Sequence, residues 1–340
     1  MNQGELARIA KAMVAKNKGI LAADESSGTI SKRFTSIKIE STEENRRTYR
    51  ELLFTAPGAA DNISGVILYD ETIRQKTKDG TPFPEYLAKK GMIPGIKVDT
   101  GAKPLAQFKG ETITEGLDGL RERLVEYYKL GARFAKWRAV IDIGDGIPSS
   151  FAIEANAHAL ARYAALCQEN DIVPIVEPEV LMDGAHSIER CEQVTSTVLQ
   201  TVFDQLSEHR ILLEGMILKP NMTISGKKAA NRAGPEQVAE ATLRVLKRHV
   251  PPAVPGIAFL SGGQSSAEAT LHLSLMNKAG PLPWSLTFSY GRALQDDALK
   301  TWAGQAANYA AAQKEMAKRA KLNGLATTGS YSSSLESQAA

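Results

Sequence analysis

RFAKWRAVIDIGDGIPSSFAIEANAHALARYAALCQENDIVPIVEPE, residues 133–179, holds the pattern on which the fold turns. It opens with an apolar run at 133–141 and closes with another at 173–179, and residues 149–169 between them have helical periodicity. A strand, a helix and a second strand in this order form a right-handed crossover between parallel strands. The polar residues in the two runs are placed in register with the pleat. Lys136 and Arg138 interrupt the first run, and Glu177 and Glu179 end the second. Residues two apart on a strand share a face, so each pair lies on one side of the sheet.

The same alternation extends in both directions. Strand-like runs occur at 19–24, 65–69, 94–99, 212–219, 256–261 and 285–290, which brings the total to eight. Helical segments fall at 41–54, 83–90, 114–130, 187–207, 235–249, 264–278 and 293–322; in 114–130, Leu117, Leu120, Leu124 and Tyr128 follow offsets of three and four. Eight strands alternating with helices predict an α/β protein with a single closed (β/α)8 barrel. The barrel is assigned to residues 1–322, and the small, polar residues of 323–340 predict a mobile C-terminal tail.

Composition narrows the function. The 340 residues are 43% hydrophobic and 23% charged, as in an ordinary globular chain. The net charge of +3 arises from 41 basic and 38 acidic residues spread along the sequence, which favours a local anion pocket over a nucleic-acid surface. No apolar run approaches the roughly 18 residues that span a bilayer, and the N-terminal stretch lacks a secretory signal's apolar core, so no membrane partner and a cytoplasmic location are expected. Cys167 and Cys191 have no CxxC spacing, and the five histidines form neither HxH nor HExxH. No metal and no cofactor are expected.

In a parallel barrel the C-terminal strand ends open onto one mouth. Asp24 ends the first run, Lys97 and Asp99 the third, Lys219 the sixth and Ser261 the seventh. With Lys136, Arg138, Glu177 and Glu179, these residues put carboxylates and amines where barrel active sites are built. LSGGQS (260–265) and SYGRAL (289–294) follow the last two strands, where backbone NH groups bind phosphate, and Arg292 adds a bidentate donor. Lys219 ends an apolar run directly before Pro220. An ordinary lysine is neutral in only about one molecule in 2,500 at pH 7. Burial and neighbouring Lys136, Lys97 and Arg138 lower its pKa, making the amine a nucleophile toward a carbonyl carbon.

The ordered motifs GILAADES, TEENRRTYRELLFTAPG, GIKVD, FAKWR, NDIVPIVEPE, LLEGMILKPNM, FLSGGQS and FSYGRALQ resemble the class I fructose-1,6-bisphosphate aldolases from about Gly19 to Lys321. The resemblance implies a (β/α)8 barrel, commonly a homotetramer. It also implies a lyase that reversibly cleaves fructose 1,6-bisphosphate through a lysine Schiff base, in glycolysis, gluconeogenesis or the Calvin cycle. It assigns the Schiff-base lysine to Lys219, the acid/base to Glu177 with Glu179 in support, and Asp24 and Lys136 to the reacting carbons. Ser261, Gly262, Gly291 and Arg292 resemble one phosphate site; Ser26, Arg33 and Lys97 lie at the sugar's other end, with Arg138 also set toward the substrate.

The chain departs from the family at Thr100, where a lysine is common, and at Asp142, which adds a negative charge. Thr29 keeps a hydroxyl in place of serine. The chain ends LESQAA rather than in tyrosine, and Tyr331 is the tail's only aromatic. A pyridoxal-phosphate barrel, a sedoheptulose 1,7-bisphosphate aldolase and a sugar-phosphate-binding protein without turnover remain as alternatives.

Overall fold

The computed structural model describes residues 1–338. In chain order the elements are α1 (Gln3–Met13), β1 (Gly19–Ala22), α2 (Ser27–Ser36), α3 (Glu43–Phe54), β2 (Ile63–Leu68), α4 (Asp70–Arg74), α5 (Phe83–Lys89), β3 (Ile93–Lys97), β4 (Gly101–Pro104) and β5 (Thr112–Glu115). There follow α6 (Leu120–Lys129), β6 (Phe134–Ile141), α7 (Ser150–Glu169), β7 (Val173–Val180), α8 (Ile188–Glu208), β8 (Ile217–Leu218), α9 (Pro235–His249) and β9 (Gly256–Phe259). The chain closes with α10 (Ser266–Lys278), β10 (Ser285–Tyr290), α11 (Arg292–Trp302), α12 (Tyr309–Ala326) and α13 (Leu335–Gln338). Among the described residues, eight parallel strands close in the order β1-β10-β9-β8-β7-β6-β3-β2, while β4 and β5 form a separate antiparallel pair. The expected (β/α)8 barrel is the observed fold.

The opening stretch explains how the barrel is layered. Ala135, Trp137 and Ala139 of β6 join the core between strands and helices, whereas Phe134 packs inside with Ile20, Val173, Ile175 and Ile217. Two residues beyond Phe134 on the same face is Lys136, and two beyond Ile175 is Glu177. Each inward column therefore changes from apolar to ionic toward the mouth. Leu6, Ile9, Ala10 and Met13 of α1 close the apolar end. Phe134 fills the interior because Gly95 opposite it has no side chain: a Cβ there would overlap the ring, and one at Gly65 would reach within 2.9 Å of it.

Several elements differ from expectation. Only Ile217–Leu218 of the 212–219 run is strand; Leu213–Gly215 is a 3-10 turn. Gln168 of α7 satisfies this turn, with its amide nitrogen donating to Leu212 O (2.8 Å) and its Oε1 accepting from Leu212 N (3.0 Å). The 114–130 segment begins helically only at Leu120, because Thr112–Glu115 pairs with Gly101–Pro104. Tyr127 is buried there and Tyr128 exposed. The 293–322 segment is broken in two at Ala303 and Gly304, both at positive φ. Four helices, α1, α2, α4 and α13, were not anticipated.

Helix α12 runs across the 322/323 boundary. Beyond it Tyr331 is fully buried; its backbone oxygen accepts from Ser274 Oγ (3.0 Å), and its hydroxyl donates to Glu336 Oε1 (2.7 Å). Glu336 in turn pairs with Arg319 at 2.7 Å. Asn17, which precedes β1, donates from its backbone to Thr327 Oγ1 at 3.0 Å. Thr327 thus lies at the end of the barrel opposite the C-terminal strand ends, whereas Glu336 pairs with Arg319, which also meets Asp297 of α11 at 3.6 Å. No helix among the described residues is long and apolar enough to cross a membrane.

Candidate active site

At the C-terminal strand ends lies a cavity of about 740 Å³. Each strand delivers its polar residue there because the pleat carries the inward column to the rim. Asp24 follows β1, Lys97 ends β3, Lys136 and Arg138 lie in β6, Glu177 and Glu179 in β7, and Lys219 follows β8. Ser261 and Gly262 line it from the loop after β9, and Gly291 and Arg292 from the start of α11. Ser26, the N-cap of α2, and Arg33 complete the wall. The residues singled out from sequence therefore border one space.

Its floor is an alternating set of charges. Lys136 Nζ lies 2.8 Å from Asp24 Oδ2 and 3.4 Å from Glu177 Oε2, while Lys219 Nζ lies 3.4 Å from Glu177 Oε1. Lys219 is 3% exposed, and its backbone NH continues the sheet by donating to Val176 O at 2.8 Å. Burial lowers the Lys219 pKa from the ordinary lysine value, and Lys136 adds to this; Glu177 and Asp24 oppose it without cancelling it. Lys136 has the opposite outcome. Burial works against its charge, but Asp24, Glu177 and Asp99 outweigh it and hold the ammonium above the ordinary range. Asp24 is likewise desolvated, yet Lys136 and Lys219 keep its carboxyl well below the ordinary aspartate range. One buried amine is pushed toward the neutral form and its neighbour is fixed as a cation.

Glu179 accepts from Arg138 at 2.8 Å, and burial raises its carboxyl despite that partner. Lys97 pairs with Asp99 at 3.1 Å, and Asp99 also accepts from the backbone NH groups of Gly101 (3.1 Å) and Arg138 (3.3 Å). Gly262 has no room for a side chain, since a Cβ would lie 2.8 Å from the Met182 methyl and 3.1 Å from Glu179 Oε1. The arrangement suits a carbonyl compound carrying phosphate at each end: a desolvated amine, an adjacent carboxylate, a fixed ammonium, and basic residues with glycine-rich turns at the rim.

The selection from sequence missed part of the wall. Ser289 Oγ of β10 is buried without a hydrogen-bond partner among the described residues and borders the cavity. The rule that found Asp24 and Lys219, a polar residue near a strand's C-terminus, applies to Ser289 equally. Glu25, Asp296 and Lys300 also line the wall. Their signal is weaker, because two of them come from within α11 rather than from a strand end.

Comparison with known proteins agrees with this architecture. The family profile for class-I fructose-bisphosphate aldolase matches residues 5–340. The chain is 60% identical over 332 residues to a probable fructose-bisphosphate aldolase class 1 of Xanthomonas campestris pv. campestris, covering 97% of this chain and 99% of that protein. It is 58% identical over 328 residues to the cytosolic fructose-bisphosphate aldolase 5 of Arabidopsis thaliana, covering 96% and 91% respectively. The solved fructose-bisphosphate aldolase of Plasmodium falciparum superposes with a TM-score of 0.96 at 52% identity, covering 97% of this chain and 96% of that one. On its sequence, its barrel and the length over which both match, the chain belongs to the class-I fructose-bisphosphate aldolase family.

Proposed function

We propose that this lyase cleaves and re-forms the C3–C4 bond of fructose 1,6-bisphosphate through an imine on Lys219. The observation that carries the reading is the buried Lys219 amine, 3.4 Å from Glu177 and flanked by a second, firmly charged lysine. The neutral amine attacks the C2 ketone. Glu177 supplies the proton with which the carbinolamine hydroxyl departs as water, leaving a protonated imine. The carboxylate then takes the C4 hydroxyl proton, and the C3–C4 electrons move into the imine. The aldehyde, glyceraldehyde 3-phosphate, leaves, and the enamine takes a proton at C3. Hydrolysis then frees dihydroxyacetone phosphate and the Lys219 amine.

Lys136 holds positive charge beside the oxygens that become negative, and Asp24 orients the C4 hydroxyl. Glu179 supports Glu177 from the next inward position on β7. Ser261, Gly262, Gly291 and Arg292 receive one phosphate; Ser26, Arg33, Lys97 and Arg138 receive the other. Residues 1–322 are assigned to the catalytic barrel and 323–340 to a C-terminal tail, with α12 shared across that boundary; among the described residues every cavity-lining one precedes residue 301. A homotetramer and a cytoplasmic location are the family's expectation. The second is supported by relatives described as cytosolic in Arabidopsis thaliana.

Borohydride reduction in the presence of fructose 1,6-bisphosphate, followed by peptide mass spectrometry, tests the reading. A triose-phosphate adduct on Lys219, absent in Lys219→Ala, is the expected result. Cleavage that proceeds without any adduct, or normal turnover by Lys219→Ala, overturns it.

A further inference from the structure

Helices outside the barrel hold the segment that carries Asp24. Beyond Ala22, β1 leaves the sheet, and its carbonyl groups need other partners. Gln295 of α11, fully buried, donates from its amide nitrogen to Ala22 O at 2.6 Å. Arg50 of α3, 2% exposed, donates from Nε to Ala23 O (2.9 Å) and from its terminal nitrogen to Glu25 O (3.1 Å). One guanidinium thereby grips the carbonyls on both sides of Asp24. Ala23 NH still donates to Ile67 O of β2 at 3.1 Å, but the carbonyls of Ala23 and Glu25 find their donor in Arg50.

The same groups reach the cavity wall. Arg50 also pairs with Glu25 Oε2 at 2.9 Å, and Glu25 Oε1 accepts from Arg33. Arg33 donates further to Gln295 Oε1 (3.1 Å) and Asp296 Oδ1 (3.1 Å). Arg33 borders the cavity and Arg50 does not. Two guanidinium groups thus share one carboxylate, one facing the substrate and the other holding the backbone of Asp24. An ion cluster anchored by a buried Arg50 and a largely buried Glu25 and Arg33 has few alternative arrangements, because each separated charge would be left without a partner.

We propose that Glu25 and Arg50 form a positioning relay that couples an anion at Arg33 to the placement of the Asp24 carboxylate. This rests on the reading of Arg33 as part of the second phosphate site. A phosphate drawing on Arg33 acts on Glu25, and Glu25 acts through Arg50 on the peptide units around Asp24, whose carboxylate meets Lys136 at 2.8 Å. The binding energy of the second phosphate is then spent on turnover as well as on affinity. Arg50 and Glu25 become specificity determinants for bisphosphorylated over monophosphorylated ketoses.

The test compares kcat and KM of the full-length protein with fructose 1,6-bisphosphate and with fructose 1-phosphate, for Glu25→Gln and Arg50→Lys. Glu25→Gln preserves shape and removes the shared charge; Arg50→Lys preserves charge and removes the grip on two carbonyls. In both, the ratio of kcat with the bisphosphate to kcat with the monophosphate is expected to fall by about 10-fold, which a role confined to folding would leave unchanged. An equal loss with both substrates, or no loss with either, overturns the relay. Arg33→Ala separates the two readings. If it leaves the ratio intact, the phosphate assignment of Arg33 fails; if it lowers the ratio while the other two variants do not, the relay alone fails.

Discussion

At the scale of single residues, the site works by setting identical groups apart. Lys136 and Lys219 are both buried, and what separates them is the count of nearby carboxylates. Lys136 touches Asp24 and Glu177, whereas Lys219 touches Glu177 alone. Asp24→Asn removes a buried ion-pair partner. It is expected to cost about 3 kcal/mol of stability, read by urea unfolding, and to lower kcat by about 10²-fold. Since the folded-state pKa of Asp24 lies below its unfolded value, its contribution is complete above about pH 5 and is lost as the pH falls through the carboxylate range. The variant should show a flatter acid limb. His272 gives a second pH test. Burial pushes it down to about 4, so between pH 6.5 and 4 the unfolded chain binds a proton that the folded one does not. Stability should fall there with a slope approaching about 1.4 kcal/mol per pH unit, and His272→Gln should lose that slope.

Legibility in the sequence followed strand ends. Asp24, Lys136, Glu177 and Lys219 were readable because an ionic residue ending an apolar run is conspicuous. Arg50 was not, since it lies on α3 among Tyr49, Leu52 and Leu53, and a helix conceals which of its faces is buried until the neighbours are known.

At the scale of elements, strands were legible where side-chain alternation covered their length, as in β6, β7 and β10. The 212–219 run misled because an apolar stretch says only that it is buried. Its turn is recognisable solely through Gln168, distant in sequence. The hairpin of β4 and β5 was hidden for a similar reason: much of it is exposed, so no periodic burial marks it. What the alternating elements do specify is tight complementarity inside the barrel. Gly95→Ala sets a methyl against the Phe134 ring, and overpacking of this kind is expected to destabilise the protein by about 2 kcal/mol. Gly95→Ala combined with Phe134→Leu should recover part of that loss. Strictly additive costs in urea unfolding would show that the two positions do not share the interior as described.

At the scale of the whole molecule, the two ends of the barrel have separate tasks. The mouth concentrates charge, while the opposite end is closed by α1. The composition of 323–340 suggested a mobile terminus, and Tyr331 was the one residue in it able to take over a terminal tyrosine's part in catalysis. In the structure Tyr331 is buried against α10, with its hydroxyl on Glu336 and Glu336 on Arg319 of α12. Composition could not reveal this, because anchoring depends on one aromatic side chain and one ion pair formed with helices already in place. Deleting residues 328–340 removes both and leaves Arg319, otherwise 8% exposed at its side chain, with only Asp297 at 3.6 Å. The expected cost is about 2–5 kcal/mol, seen as a lower urea midpoint, with cleavage and enamine protonation both at the full-length rate. The decisive comparison is proton exchange at dihydroxyacetone phosphate against cleavage in the truncated protein. If exchange slows while cleavage does not, the tail reaches the mouth during turnover; unchanged rates with reduced stability leave it a structural segment alone.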